Sequence, residues 1–188
     1  AHGFLRSLKT MRGWAEFWLA HDIATVVVSF CNSNILNGHH ERNAADLLAL
    51  RKHLGLGEVI YAGFSAGGLA AYLAALEDDG AGGYLGLDSV DSGGLARRSD
   101  AVLRVPSLFL SAGSSACNAG NNMAETITKH GYPSSHIEGA THCHFELPYS
   151  PRCSWVCGRS TPEETESIQA VIKTQATSWI LSSRRLSE

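Results

Sequence analysis

The stretch that decides the fold is residues 58–76, which read EVIYAGFSAGGLAAYLAAL. A short apolar run rich in β-branched residues passes within a few positions into an alanine- and leucine-rich run with helical character. Gly63 and Gly67 lie two positions on either side of Ser65, where larger side chains would collide in a sharp bend. The pattern therefore predicts a buried strand that turns directly into a helix, with Ser65 at the bend.

Strand-like and helix-like segments also alternate along the rest of the chain. We predict strands at 23–30, 58–62, 84–87, 107–111 and 135–138, and helices at 11–20, 43–54, 67–76 and 121–130. A last helix begins after Thr161, with Pro162 in its first turn and Glu164 as the capping-box partner. Alternating strands and helices predict one α/β domain over residues 1–188, with a mostly parallel sheet and helices on both faces.

Composition narrows the classes of function. The 188 residues are 44% hydrophobic and 18% charged, which is enough apolar material for a folded core. The net charge of -3 argues against a basic surface that binds nucleic acid. No apolar run approaches the roughly 18 residues that a membrane-spanning helix needs. We therefore expect no nucleic-acid partner and no membrane span, and the sequence leaves the oligomeric state open.

The chain has five cysteines, so at least one is unpaired if the others form disulfides. Cys153 and Cys157 are four positions apart, which allows a local bridge or a metal pair, but the usual zinc spacing is absent. Disulfides would indicate an oxidising compartment, and hence a secreted or periplasmic protein. The sequence leaves the pairing of Cys31, Cys117, Cys143, Cys153 and Cys157 open.

Ser65 needs a base and an acid if its hydroxyl is to act as a nucleophile. In a strand-bend-helix setting of this kind the chain order is serine, acid, histidine. His142 follows the last predicted strand in a loop of small residues, and His144 is its rival. Asp88 lies at the end of the predicted strand 84–87, where open α/β sheets place their ligands, and Asp91 is second.

A tetrahedral oxyanion would need two backbone N–H donors. One is expected from Ala66, directly after the serine. The other is expected from residues 2–5 at the start of the chain, with Phe4 as the donor and Leu5 as the alternative. The apolar side chains near these motifs, Leu5, Phe64 and Phe145, with Phe4 and Trp155 as further candidates, are predicted to contact an acyl group.

Four segments resemble the α/β-hydrolase superfamily, and within it the chlorophyllase-like and dienelactone-hydrolase-like esterases. They are His2-Gly3-Phe4 with Arg6 after it, the GFSAGG of 63–68, the GLDSVD of 86–91, and Thr141-His142. The resemblance runs over residues 1–147. It implies an ester hydrolase, and it favours Asp88 over Asp91, because the first aspartate of the similar segment is the catalytic acid in chlorophyllases.

Three positions depart from the chlorophyllase pattern. Phe64 and Ala66 stand where chlorophyllases carry histidine and arginine, and Ser89 replaces a proline after the acid. Chlorophyll is therefore not the expected substrate. The resemblance also implies a central strand ahead of the His2-Gly3-Phe4 loop, so we expect a preceding N-terminal segment in the working protein, with a reduced sheet as the alternative.

The function predicted from the sequence is hydrolysis of carboxylic esters of short or medium acyl chain. The substrate would be a small molecule or an accessible polymer, since 88–107 is too short for a lid domain, and neither cofactor nor metal is expected. Alternatives are acyl transfer or peptide cleavage by the same three residues, and a catalytically silent hydrolase-like binding protein. A further hypothesis is a metal-dependent hydrolase in which His142, Cys143 and His144 bind the metal.

Overall fold

The computed structural model describes residues 1–32 and 37–184. Four parallel strands form one sheet in the order β1-β2-β3-β4, and their bounds are β1 Val59–Phe64, β2 Ala81–Leu87, β3 Ser107–Ser111 and β4 Ser134–His136. All four lie at or within two residues of predicted strands, except that β2 begins three residues early. The carboxyl ends of the strands therefore meet at one edge of the sheet, as the alternation predicts.

In the part of the chain that the structure describes, two α-helices precede the first strand and five connect or follow the strands. They are α1 Arg12–Leu19, α2 His40–His53, α3 Ala66–Glu77, α4 Leu95–Arg98, α5 Ala124–His130, α6 Pro151–Cys157 and α7 Pro162–Arg184. The capping box that opens α7 is formed, because the backbone N–H of Glu164 donates to Thr161 Oγ1 at 3.2 Å and Glu164 Oε2 accepts from the N–H of Thr161 at 2.9 Å. Helices α4 and α6 were not predicted.

The sheet has a hydrophobic core on each face. Neighbouring strand residues alternate between the two cores, as the pleat requires: Tyr84 belongs to one and Leu85 to the other. Residues of α1 and α7 close the first core, and residues of α3 and α5 close the second. Members of the first core include Trp14, Trp18, Phe145, Ile172 and Ile180; members of the second include Leu69, Tyr72, Phe109 and Met123. Helices on both faces are thus confirmed.

The strand predicted at 23–30 is not formed. This segment is IATVVVSF, and its composition is that of a strand buried on both faces. In the structure it belongs to no strand, and Val26 is 53% exposed. A strand needs a backbone neighbour, and β1, which is the edge of the sheet, does not pair with this segment.

None of the helices in the described ranges is long and apolar enough to span a membrane.

Candidate active site

Ser65 lies at the bend between β1 and α3, with φ 55 and ψ -128. A positive φ is costly for a residue with a side chain, and such strain concentrates at functional sites. Backbone bonds hold the bend in place: the N–H of Ser65 donates to Leu87 O at 3.1 Å, and its carbonyl accepts from Val90 N at 3.0 Å and Gly68 N at 2.9 Å. The bend is thereby fixed to the end of β2.

The two flanking glycines are required by close backbone approach. A Cβ on Gly63 would lie 2.3 Å from Gly67 O, and a Cβ on Gly67 would lie 2.1 Å from His2 O. Both contacts are with backbone atoms, which have little room to move. The prediction that larger side chains at positions 63 and 67 would collide in the bend is therefore confirmed. The contact of Gly67 with His2 also shows that residue 2 lies directly against the bend.

Asp88 follows β2 and contacts His142. Its Oδ2 lies 2.5 Å from His142 Nδ1, and its Oδ1 accepts from the N–H of Ala112 at 2.9 Å. The side-chain amide of Asn118 lies 3.3 Å from both carboxylate oxygens. The Asp88 residue is 1% exposed. A buried carboxylate with this many donors is held in one orientation, aimed at the imidazole.

His142 lies in a short 3₁₀ turn, His142–Phe145, and is buried. Its ring packs on the ring of Phe64, with centroids 4.6 Å apart. Phe64 is the residue directly before Ser65, so the imidazole lies beside the bend. Within residues 1–32 and 37–184, the Ser65 hydroxyl makes no hydrogen bond.

The two rival residues are engaged elsewhere. Both carboxylate oxygens of Asp91 accept backbone N–H groups at the start of α4, from Ala96 at 2.9 Å and Arg97 at 3.0 Å. His144 Nδ1 lies 2.8 Å from the N–H and 3.0 Å from the hydroxyl of Thr141. Burial lowers the pKa of His144. Asp91 therefore caps a helix and His144 orders its own turn.

The predicted N–H donors belong to Ala66, which follows Ser65, and to Phe4, in the loop that packs against Ser65. Ala66 is the first residue of α3, so its N–H has no acceptor inside the helix. Phe4 follows Gly3, whose Cβ position would be 3.0 Å from Ser65 Cβ. Neither N–H meets a hydrogen-bond partner among the described residues. Both groups therefore remain candidates for the two donors that an oxyanion hole requires.

Three side-chain contacts hold the loop of residues 2–6. His2 Nδ1 lies 2.8 Å from Gly3 O, and its Nε2 accepts from the N–H of Phe30 at 3.0 Å. Burial lowers the pKa of His2, which suits the neutral ring that this pair of bonds needs. Arg6 Nε donates to Glu146 Oε1 at 2.6 Å, and the Glu146 side chain is fully buried. The ion pair joins this loop to the turn that carries His142.

Two predicted substrate contacts are corrected. Phe145 is fully buried in the core, and its carbonyl accepts from Trp14 Nε1 at 2.9 Å. Phe64 is 1% exposed and supports the His142 ring. Neither side chain presents surface to a ligand, because both pack in the core. Their closeness in sequence to Ser65 and His142 did not predict this burial. Phe4 and Leu5 are exposed by 39% and 58%.

Four cysteines form two disulfides, Cys117–Cys157 and Cys143–Cys153, and Cys31 is an exposed thiol. The local disulfide that the spacing of Cys153 and Cys157 allowed is therefore not formed. Three of the bonded sulfur atoms lie within 4.8 Å of one another, but disulfide sulfurs are not thiolate ligands. For the same reason Cys143 offers no thiolate to a metal between His142 and His144.

The disulfides fasten α6 beside the candidate site. Cys143 is the neighbour of His142, and Cys117 is the neighbour of Asn118, the residue whose amide meets Asp88. Asn118 was missed by the sequence analysis. It is an uncharged residue in a polar loop, and its position against Asp88 depends on how separate strands end at the same edge of the sheet.

No protein-family model and no curated protein matches the chain. A hydrolase of the α/β superfamily from Xanthomonas campestris superposes with a TM-score of 0.64 at 14% identity, over 94% of this chain and 95% of that one. An esterase from Thermogutta terrifontis, with malate bound, superposes with a TM-score of 0.59 at 16% identity, over 97% and 88%.

A third structure, a YdeN-like hydrolase from Pectobacterium atrosepticum, superposes with a TM-score of 0.54 at 16% identity, over 89% of each chain. At these identities the likeness concerns the path of the backbone. The parallel sheet, its flanking helices and the bend at Ser65 agree with it. The chain therefore has the α/β-hydrolase fold predicted from its sequence.

Proposed function

We propose that the protein is a serine hydrolase that cleaves carboxylic esters. Ser65 is the nucleophile, His142 the general base and Asp88 the residue that orients the imidazole. The contact between Asp88 and His142, formed beside a strained serine, carries this proposal. The three structural neighbours, which are named as hydrolases or an esterase, support it at the level of the fold.

In the first half of the reaction Ser65 Oγ attacks the ester carbonyl carbon, and His142 Nε2 takes the hydroxyl proton. The carbonyl oxygen becomes an oxyanion between the N–H groups of Ala66 and Phe4. When the C–O bond to the alcohol breaks, His142 returns the proton to the leaving oxygen and an acyl-serine remains. Water then attacks this acyl group while His142 takes its proton. The acyl C–O bond to Ser65 breaks, His142 returns the proton to Ser65 Oγ, and the acid is released.

The mechanism requires a hydrogen bond from the Ser65 hydroxyl to the His142 imidazole. The Ser65 hydroxyl has no hydrogen-bond partner among the described residues, and catalytic hydrogen bonds of this kind often tighten only when substrate is bound. Rotation about the Cα–Cβ bond of Ser65 would turn its Oγ toward the imidazole. The absence of that bond is also the observation that favours the second candidate, a silent binding protein of the same fold.

The substrates we propose are esters of short or medium acyl chain, either small or part of an accessible polymer. The connection from Asp88 to β3 contains only a 3₁₀ turn, Ser92–Gly94, and the four-residue helix α4. Such a connection is too small to cover the site, and exposed Phe4 and Leu5 lie beside it. A preference for long-chain triglycerides would contradict this part of the proposal.

The first experiment is p-nitrophenyl ester hydrolysis by Ser65→Ala and, as a matched control, Ser114→Ala at an exposed position. We expect kcat to fall by at least about 10,000-fold in S65A, since the nucleophile is removed, and to stay unchanged in S114A. Wild-type activity in a folded S65A variant would refute the assignment of Ser65.

A further inference from the structure

The two disulfides lie against each other at α6. Cys153 and Cys157 both belong to this helix, and they are bonded to Cys143 and Cys117 respectively. The sulfur atoms of Cys143, Cys153 and Cys157 all lie within 4.8 Å of one another, so Cys157 is close to a disulfide to which it does not belong. A sulfur in this position can attack the neighbouring disulfide once it becomes a thiolate.

The two bonds differ in their access to solvent. Cys143 and Cys153 are 0% and 1% exposed, so the folded chain shields their sulfur atoms from a reductant. Cys117 and Cys157 are half-buried. Because exchange requires the attacking thiolate to reach a sulfur atom, an external thiol is expected to act first on Cys117–Cys157. Reduction of that bond leaves the Cys157 sulfur beside the buried one.

The spacing of Cys153 and Cys157 supplies an alternative pairing. Residues four positions apart in a helix lie on the same face, one turn from each other. The sequence therefore allows a local bridge between them, and Cys157 is kept from it by its bond to Cys117. To form the local bridge, the two sulfur atoms need to approach from no more than 4.8 Å.

We propose that α6 is a thiol–disulfide exchange site, at which a dithiol opens the buried bond through Cys157. The dithiol first reduces Cys117–Cys157 and is itself oxidised to a disulfide. The Cys157 thiolate then attacks Cys153 Sγ, the bond from Cys153 to Cys143 breaks, and Cys143 leaves as a thiolate that takes a proton from water. A Cys153–Cys157 bond forms, and this second step involves no net oxidation or reduction of the protein.

The exchange carries an event at the surface to the residue next to His142. Before it, Cys143 is joined covalently to α6; after it, Cys143 is a thiol and the remaining disulfide lies wholly within α6. The buried bond is thereby opened without first being exposed to solvent. The proposal does not depend on the proposed catalysis, because its readouts are the positions of thiols and disulfides.

The matched test uses Cys117→Ser and Cys157→Ser, each in a Cys31→Ser background that removes the exposed thiol. Both variants lack the same disulfide, but only C117S keeps the attacking sulfur. Each folded variant is treated with dithiothreitol at about pH 8, near the ordinary pKa of a thiol. Samples are quenched with acid and alkylated with N-ethylmaleimide, and thiols and disulfides are located by mass spectrometry.

We expect the Cys143 thiol to appear at least about 10-fold faster in C117S than in C157S, because only C117S can attack the buried bond from within. A Cys153–Cys157 bond should be trapped in C117S. Equal rates in the two variants would overturn the proposal, since the buried bond would then open without Cys157. A Cys143–Cys157 bond in place of Cys153–Cys157 would contradict the release of Cys143.

The wild-type chain gives the answer if a variant does not fold. It is treated with one equivalent of dithiothreitol and quenched in the same way. Chains that have lost one disulfide should then carry thiols at Cys117 and Cys143, with Cys153 bonded to Cys157. If the Cys143 thiol were absent from these chains, which would carry thiols at Cys117 and Cys157 alone besides Cys31, the proposal would be wrong.

Discussion

The two halves of the candidate site are held in different ways. Asp88 and His142 are both buried, Asp88 receives three further contacts, and a disulfide begins at the residue next to His142. The loop that presents the Phe4 N–H has exposed side chains at Phe4 and Leu5. It is fastened by the backbone bonds of Ala1 to Ala62 and Phe64, by the His2 side chain and by the Arg6–Glu146 ion pair.

This difference separates two requirements of the chemistry. The acid and base must keep one orientation through both halves of the reaction, and burial with full hydrogen bonding achieves that. The donor loop must admit the substrate carbonyl, so it cannot be closed in the core. Its position therefore depends on contacts at its two ends. Mutations at Asp88 or His142 should change the orientation and charge of the imidazole. Mutations in the donor loop should change how the substrate carbonyl approaches Ser65.

Among the residues that support Ser65, the largest effect is expected from Asp88→Asn. An amide keeps the size of the side chain and the bond from Ala112, but its NH₂ group turned to His142 forces the imidazole into the tautomer that cannot accept the serine proton. We expect kcat for ester hydrolysis to fall by about 10,000-fold, with little change in KM.

Asp91→Asn is the matched control for that variant. The substitution weakens the cap on α4 and should lower the free energy of unfolding by about 1 kcal/mol while kcat is unchanged. If D91N lost activity and D88N kept it, the acid would be assigned to the wrong aspartate.

A smaller effect is expected from Gly3→Ala in the donor loop. The new Cβ would lie 3.0 Å from Ser65 Cβ and 3.2 Å from the Phe64 ring, so the loop must shift away from the bend. We expect about a 100-fold loss in kcat, the scale of one lost oxyanion donor. Gly57→Ala, where a Cβ meets nothing within 4 Å, is the control and should be neutral. Equal activity of G3A and G57A would remove the loop from the mechanism.

The smallest effect on rate is expected from removing a disulfide. Replacing Cys143 and Cys153 by serine releases a loop of about ten residues and should cost about 3 kcal/mol of unfolding free energy, against about 4 kcal/mol for Cys117 and Cys157. Denaturant unfolding measures this, with Cys31→Ser as a neutral control. We expect kcat to fall only several-fold, because Asp88 and the Phe64 ring still hold His142. A loss as large as that of D88N would mean that the disulfides, rather than these contacts, orient the base.

Local features of this site were predictable from the sequence, and features that join distant segments were not. The bend at Ser65 follows from the spacing of Gly63 and Gly67, and the end of β2 from the run before Asp88. Asn118 and the disulfide pairing depend on which loops meet at the sheet edge. The sequence contains no local signal for that.

The segment 23–30 was predicted wrongly for a related reason. Its composition is that of an inner strand, but composition does not supply the neighbour that a strand must bond to. The prediction for Phe145 failed because it, too, was made from local sequence. Phe145 lies three residues after His142, yet its side chain turns into the core, so closeness along the chain did not mean closeness to a substrate.

The most direct measurement of the central claim is labelling with a fluorophosphonate, which reacts with a serine only when an adjacent base activates it. The folded wild-type chain, S65A and D88N are treated under the same conditions, and the modified peptide is located by mass spectrometry. The account predicts one adduct, on Ser65, formed rapidly in the wild type, far more slowly in D88N and not in S65A. A folded wild-type protein that takes up no label, or that is labelled at another serine, would contradict it.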